Sequence, residues 1–340
     1  MTCLPVYQHP LAYPPKTQYL LPVPLLHQFL AKLTRLNRAN TVYGKAPHKP
    51  VLLLSMIELI EKGTVQTNRF YADTDLVGAF QENWRLLVDT LHTADFTQPF
   101  YYLQSEKVNG RPFWFLQPKP GCQINAYIRS VNTLAKALDY GYFDIGIYLL
   151  LTDAASRSLI KNVLLQTYFP QSQAAYLQAK QTGKGYINDI QSYLLNEPEV
   201  QYKTLKIETE DEVFIRGGLF KKLVPKVYGN TCCITGMRLE SSFGHSFIDA
   251  CHIVPFSVSH DDKVNNGLAL CPNLHRAFDR GLISIDTQYR VAVSGHIIEH
   301  AIHPYNLKQL NGQPITLPGS QKHYPEQANL EWHKGNIFKR

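Results

Sequence analysis

Two histidines and one asparagine near the C-terminus have the residue types and spacing that suit hydrolysis of a phosphate ester. His252 follows an apolar segment, Asn266 lies 14 residues later, and His275 lies another 9 residues on. A neutral imidazole near pH 7 can take a proton from a water molecule that then attacks phosphorus. The Asn266 amide can bond either His252 or the backbone, and either bond would orient the imidazole. We therefore predict that all three residues are catalytic and that His252 is the general base.

His275 is also a candidate metal ligand, together with Asp279. The two residues are four positions apart in a segment predicted to be a short helix, so their side chains share one helix face. A divalent cation bound there would polarise the phosphate and stabilise the leaving oxygen. We expect Mg²⁺ or Mn²⁺ at a site with nitrogen and oxygen donors, with Zn²⁺, Ni²⁺ and Co²⁺ as alternatives.

The elements that must position these residues are predicted around them. A helix is predicted over 215–228, ending at Gly229-Asn230, and strands over 246–254, 282–285 and 289–293. Roughly residues 215–340 resemble the HNH, or ββα-metal, nuclease family, which implies a metal-dependent DNA endonuclease. The resemblance rests on residues 249–255 (Asp-Ala-Cys-His-Ile-Val-Pro), 266–271, 275–279, the Cys-Ile-Thr-Gly turn at 233–236, the run 278–284 and Trp-His at 332–333.

One position departs from the family pattern. Many members place an aspartate directly before the first histidine, where it binds the metal, but this chain has Cys251 there. A thiol is a poor ligand for hard cations, which gives Asp279 more weight as a ligand. No cysteine pair has the spacing of a structural zinc site, so we expect free thiols. The six cysteines are Cys3, Cys122, Cys232, Cys233, Cys251 and Cys271.

Length and composition are those of a globular protein, and the charge is compatible with a polyanionic partner. The chain has 340 residues, 44% hydrophobic and 18% charged, which is comfortable for two domains. Its net charge of +7 divides into +5 for the first 204 residues (19 basic, 14 acidic) and +2 for the rest (15 basic, 13 acidic). A mild basic excess suits DNA. With no secretory signal, no long apolar run and few cysteines, we expect a cytoplasmic protein without a membrane span.

The first half of the chain has the pattern of a helix-rich domain. Helices are predicted over 24–37, 51–60, 76–92, 130–138, 144–151 and 154–167, and a hairpin of 100–103 and 112–116 around Asn109-Gly110. A polar, glutamine-rich stretch then predicts a domain boundary. We predict an α+β fold with an arm (1–21), a helix-rich mixed α/β DNA-reading domain (22–180), a linker (181–212) and a ββα-metal nuclease domain (213–340).

Roughly residues 22–175 look like the sulfur-binding domain of some modification-dependent restriction enzymes. The resemblance rests on residues 43–50 (Tyr-Gly-Lys-Ala-Pro-His-Lys-Pro), 99–103, 114–116 and 168–172. It implies binding of DNA with a phosphorothioate backbone, whose soft, weakly hydrated sulfur favours a pocket of aromatic and proline rings. The candidate DNA-binding residues are Tyr168, Phe169 and Pro170 for the pocket, Arg129 for the phosphate, and His48 and Lys49 for the backbone or for capping a helix.

Together the two halves predict a restriction endonuclease that cuts double-stranded DNA carrying phosphorothioates, as in phage defence. A homodimer is reasonable because cutting both strands with one type of site normally needs two active sites. Two alternatives stay open: the front half reads methylated bases or unmodified DNA, or the protein is a non-catalytic DNA-binding protein with a decayed nuclease site.

Overall fold

The computed structural model describes residues 23–183, 185–196, 209–242, 246–300 and 303–340. The predicted arm, residues 1–21, lies outside this set. The helices are α1 (Val23–Leu33), α2 (His48–Glu61), α3 (Thr74–Leu87), α4 (Thr97–Tyr102), α5 (Val131–Ala137), α6 (Ile145–Thr152), α7 (Ala154–Tyr168), α8 (Gln173–Thr182), α9 (Tyr186–Leu194), α10 (Glu210–Val227), α11 (Phe256–Ser259), α12 (Pro272–Asp279) and α13 (Gln327–Asn336). The strands are β1 (Asn40–Thr41), β2 (Gly44–Lys45), β3 (Lys107–Val108), β4 (Arg111–Pro112), β5 (Trp114–Pro118), β6 (Leu138–Phe143), β7 (Asp249–His252), β8 (Gly267–Leu270), β9 (Ile283–Ile285) and β10 (Val291–Val293).

The first half of the chain packs around α2. Every residue of this helix from Lys49 to Leu59 is buried, because α3, α4, α6 and α7 cover it on different sides. The antiparallel pair β5–β6 closes the core with aromatic rings, among them Trp114. Gly141 lies directly under that ring, where a Cβ atom would come within 2.2 Å of it, so only glycine fits.

The predicted helices of this half are present, with ends shifted by a few residues, but one predicted strand is wrong. Residues 100–103 are helical, and the Asp95 carboxylate stabilises the start of α4 by accepting hydrogen bonds from the backbone N–H groups of Thr97 and Gln98. Asn109-Gly110 does form a hairpin turn, with φ of 51° and 76°, but it joins the short strands β3 and β4.

The range predicted as a linker, residues 181–212, contains α9 and the first turn of α10. Helix α10 packs against α3 of the first half, where Asp211 accepts a 2.7 Å hydrogen bond from Gln81 and Lys222 pairs with Asp75 at 2.6 Å. Gly218 permits the close approach, because a Cβ atom there would overlap the Thr74 side chain. The position of the domain boundary stays a prediction.

The rest of the chain builds two small hairpins, of which the first packs on α10. The antiparallel pair β7–β8 lies against the helix, so closely that a Cβ atom on Gly267 would come within 2.6 Å of Val224. The pair β9–β10 contacts α12 and α13. The fold is therefore a mixture of helices and two-stranded sheets, as predicted. Among the described residues, no helix is both long and apolar enough to cross a membrane.

Candidate active site

The two strands β7 and β8 and the helix α12 bring the predicted catalytic residues together. His252 ends β7 and lies opposite Gly267, the first residue of β8. Helix α12 begins with Pro272 after the end of β8, and it carries His275 and Asp279 to the pocket that His252 also lines. A pocket of about 380 Å³ forms between these elements and is lined by His252, His275 and Asp279 among others. Asn266 lies behind it and is fully buried.

The His252 imidazole is held from two sides. Its face stacks on the ring of Phe220, with centroids 3.8 Å apart and planes within 7°. Its Nε2 lies 3.0 Å from Oδ1 of Asp262, a carboxylate that is 1% exposed. A carboxylate only accepts hydrogen bonds, so in the neutral imidazole Nε2 carries the proton and Nδ1 has the lone pair. Among the described residues, no protein group bonds that Nδ1.

Sequence reasoning missed Asp262 and its supports on α10. Arg216 lies one helical turn before Phe220, and its Nη2 is 3.6 Å from Oδ2 of Asp262 while donating a 2.9 Å hydrogen bond to the carbonyl of His260. Phe220 and Arg216 lie on one face of α10, where Phe220 contacts the His252 imidazole and Arg216 contacts the Asp262 carboxylate. The available signal was the spacing of four between an arginine and a phenylalanine in an otherwise amphipathic helix.

Asn266 binds the backbone rather than His252. Its Oδ1 accepts a 2.9 Å hydrogen bond from the N–H of Val254, and its Nδ2 donates 3.0 Å bonds to the carbonyls of Val254 and Asp261. These bonds close the loop between β7 and β8. The same loop carries Asp262, so hydrogen bonds connect Asn266 to His252 through the loop backbone and that carboxylate.

His275 lies between two carboxylates. Its Nδ1 is 3.2 Å from Oδ2 of Asp249, to which the sequence analysis assigned no role, and its Nε2 is 3.4 Å from Oδ2 of Asp279. When Nδ1 donates to Asp249, the Nε2 lone pair and an Asp279 oxygen face each other. A divalent cation near both atoms would relieve the repulsion between these two acceptors, and a carboxylate on the other ring nitrogen is the usual support of a metal-binding histidine.

Cys251 completes a group of three residues that fits a divalent metal ion. One ligand atom each from Cys251, His275 and Asp279 lie within 4.8 Å of one another. Burial, with Asp279 next in effect, raises the pKa of the Cys251 thiol well above its usual range, so the sulfur is a thiol unless a cation displaces the proton. The sulfur donor suits Zn²⁺, Co²⁺ or Ni²⁺, whereas a hard ion would rely on His275 and Asp279.

His333 of α13 closes the back of the pocket. It stacks on Phe278 at 3.7 Å, its Nε2 donates to the Phe278 carbonyl at 3.1 Å, and its Nδ1 accepts from Ser284 at 2.9 Å. Burial lowers its pKa to about 4, so the ring is neutral near pH 7. Both nitrogens are occupied, which makes this histidine part of the structure rather than a second base.

In the first half, a pocket of about 940 Å³ contains three of the predicted DNA-binding residues, His48, Lys49 and Tyr168. The Lys49 ammonium is bonded to the fully buried carboxylate of Glu106, which neutralises its charge. The His48 Nε2 lies 2.9 Å from the carbonyl of Thr93, and burial lowers the pKa of this histidine. Both residues therefore have structural partners inside the protein.

The remaining predicted residues are spread over different environments. The Tyr168 hydroxyl donates to the carbonyl of Leu33 at 2.6 Å, while its ring faces the pocket under the guanidinium of Arg38. Phe169 is 5% exposed and belongs to the core. Pro170 is exposed. Arg129 is exposed and lies 3.8 Å from Asp95. In the part of the chain that the structure describes, Phe169, Pro170 and Arg129 do not line this pocket.

Comparison with known proteins agrees with this geometry. Residues 232–286 match the sequence model of the family described as HNH endonuclease. The chain contains an HNH endonuclease domain. It is also 24% identical over 133 residues to the type IV methyl-directed restriction enzyme EcoKMcrA of Escherichia coli (strain K12), an alignment that covers 38% of this chain and 45% of that enzyme.

A solved structure, the modification-dependent TagI restriction endonuclease, matches 36% of this chain and 39% of its own at 22% identity. The TM-score of that match is 0.29. Both relatives are matched over less than half of their lengths, so the likeness concerns a part of each protein.

Proposed function

We propose that this protein is a metal-dependent endonuclease that hydrolyses phosphodiester bonds of DNA. The observation that carries the proposal is the convergence of His252, His275 and Asp279 on one pocket within the HNH endonuclease domain. The imidazole of His252 and the ligand group around His275 face a space large enough for a phosphate and a water molecule.

In this proposal His252 is the general base. Its protonated Nε2 is held by Asp262, so the free Nδ1 can take a proton from a water molecule as that water attacks phosphorus. Phe220 prevents the ring from tilting, and Asn266 keeps Asp262 in place through the loop backbone. A divalent ion held by His275 and Asp279, with Cys251, would neutralise charge on the phosphate and on the leaving oxygen.

Substitution of His252 tests the assignment. His252→Ala should abolish cleavage of phosphorothioate-bearing and of plain plasmid DNA in buffers supplemented with Mg²⁺, Mn²⁺, Co²⁺ or Zn²⁺, while leaving DNA binding intact. The matched control is His296→Ala, an exposed histidine of the same half of the chain that does not line the pocket. Full activity of the His252 variant would refute its role. A wild-type protein that nicks neither the phosphorothioate-bearing nor the plain plasmid with any ion would favour the non-catalytic alternative.

We also propose that the first half of the chain directs cleavage to DNA with phosphorothioate linkages. The support is the similarity of roughly residues 22–175 to sulfur-binding domains, together with a pocket in which Arg38 and Tyr168 offer a cation and an aromatic ring. A polarisable, weakly hydrated sulfur gains dispersion energy at such a surface and loses little on desolvation.

The type of modification is tested with matched duplexes. Otherwise identical duplexes with a phosphorothioate, with methylated cytosine or without modification should differ in binding, with the phosphorothioate bound most tightly. Methylated DNA is the second candidate, since the relative from Escherichia coli is named as methyl-directed. Equal binding of all three duplexes would refute a modification-reading role.

The same proposal includes the biological setting. An enzyme of this kind would restrict foreign or modified DNA in the cytoplasm, where that DNA enters. Cutting both strands would take two copies of the chain, so we expect a homodimer on DNA. Sedimentation of the protein with and without a cognate duplex measures this directly.

A further inference from the structure

The two-stranded hairpin β1–β2 carries two apolar side chains into solvent. Val42 is 90% exposed and Tyr43 is 49% exposed, and they form the turn between the strands; we refer to these two residues as the hairpin tip. Leu91, 78% exposed, follows in the neighbouring segment, whose His92 ring lies 5.6 Å from the Tyr43 ring. Exposed apolar side chains that cluster in this way mark an interaction surface more often than isolated ones do.

The hairpin tip is held in place by polar contacts at its base. The Thr41 hydroxyl donates to the carbonyl of Gly44 at 2.8 Å, accepts from the N–H of Tyr43 at 3.1 Å and lies 2.7 Å from Nε2 of His92. The other nitrogen of His92 is bonded to Thr90. A projection fixed in this way loses little conformational entropy when it is inserted into a partner.

Positive charge surrounds the hairpin tip. Thr41 and Lys45 of the hairpin line the pocket of about 940 Å³, and Arg35 and Arg38 line it as well. Lys45 and Arg35 form no ion pair with the described residues, and Arg38 lies over the Tyr168 ring, 4.5 Å from its centroid.

The acidic groups of the pocket region do not cancel this charge. Glu106 is fully buried and bound by both Lys32 and Lys49, while Asp95 lies 3.8 Å from the guanidinium of Arg129. The rim of the pocket therefore keeps a net positive charge beside an apolar projection. This combination is complementary to a nucleic-acid duplex, which is anionic outside and apolar between its stacked bases.

We propose that the hairpin tip is a wedge that enters a groove of double-stranded DNA and partly unstacks one base step, while the cationic rim holds the adjacent phosphate. Tyr43 supplies the ring that stacks on a base, and Val42 fills the space opened beside it. The inference rests on the proposed DNA-reading function of this half of the chain. It adds a second contact, to the bases, next to the contact with the backbone.

The test uses the full-length protein and a duplex with a fluorescent adenine analogue next to the phosphorothioate, whose emission rises when it is unstacked. Wild-type protein should brighten this probe. The double variant Val42→Ser/Tyr43→Ser should leave it dark and bind the duplex about tenfold more weakly, the range expected for loss of one aromatic–base stack. The control is Tyr305→Ser, a change at a tyrosine that is 84% exposed in the other half of the chain.

The outcomes separate the wedge from the proposed function. Unchanged binding and brightening in the double variant would overturn the wedge, as would a wild-type complex in which the probe stays dark. Loss of self-association with unaltered DNA binding would also overturn it and identify the hairpin tip as an interface between copies of the chain. A further outcome is that wild-type protein binds modified and plain duplexes equally and raises the probe emission in both, with the double variant losing this effect. That result would support the wedge and refute the proposed recognition of sulfur. Melting temperatures equal to wild type exclude misfolding.

Discussion

Replacing Asn266 tests whether its hydrogen bonds hold the loop between β7 and β8 that carries Asp262. Asn266→Ala removes three hydrogen bonds of 2.9 to 3.0 Å and leaves the buried backbone groups of Val254 and the half-buried carbonyl of Asp261 without a side-chain partner. A buried hydrogen bond contributes about 1 kcal/mol net, and an unsatisfied buried group costs more, so the free energy of unfolding should fall by about 3 to 4 kcal/mol. That is a large part of the roughly 5 to 15 kcal/mol that stabilises a typical domain.

The neighbouring residue provides a matched control. The side chain of Asn265 makes a single 3.4 Å contact with Glu326, so Asn265→Ala should cost less than about 1 kcal/mol. Urea unfolding followed by circular dichroism measures both variants, and cleavage assays below the melting temperature report the loss of Asp262 positioning. If the Asn266 variant is destabilised no more than the Asn265 variant, the loop is held by other contacts and the proposed route from Asn266 to His252 is wrong.

Three further predictions concern residues around the pocket. Asp262→Asn should lower kcat about 100-fold with little change in KM for DNA, because it weakens the positioning of the general base; an equal change in both would point to altered binding instead. Cys251→Asp places a buried carboxylate beside Asp279. The melting temperature of this variant should therefore be lower than that of wild type in chelator, and Mg²⁺ should raise it by more than it raises that of wild type. His333 has a folded pKa of about 4 against about 6.5 unfolded, so its neutral form contributes stability that is complete above pH 6.5 and is lost, by about 3 kcal/mol, as pH falls through 4. Urea unfolding across that range in chelator should show this loss, and His333→Gln should flatten it.

Several features of the site could be read from local sequence. The apolar segment before His252 predicted a strand, and the spacing of His275 and Asp279 predicted a shared helix face; both elements are present in β7 and α12. The match of residues 232–286 to HNH endonucleases is carried by the same run of residues. These are short-range properties, because strand and helix periodicity place side chains within a few positions of each other.

The partners of those residues depend on contacts between distant segments. Asp262 reaches His252 because β7 and β8 pair with His252 opposite Gly267, and Phe220 reaches the same ring because α10 packs beneath that hairpin. In the first half, the sequence shows no partner for the Lys49 ammonium. In the folded protein it is bonded to the buried carboxylate of Glu106, which lies 57 positions away in the chain.

The amino-acid sequence alone determined which chemistry this chain carries, since imidazole, carboxamide and carboxylate groups have that reactivity wherever they lie. The tertiary structure decided which of these groups is positioned, neutralised or buried, as with His252, Lys49 and Phe169. The physical reason is that burial and charge pairing arise between elements far apart in the chain, and no local pattern records them.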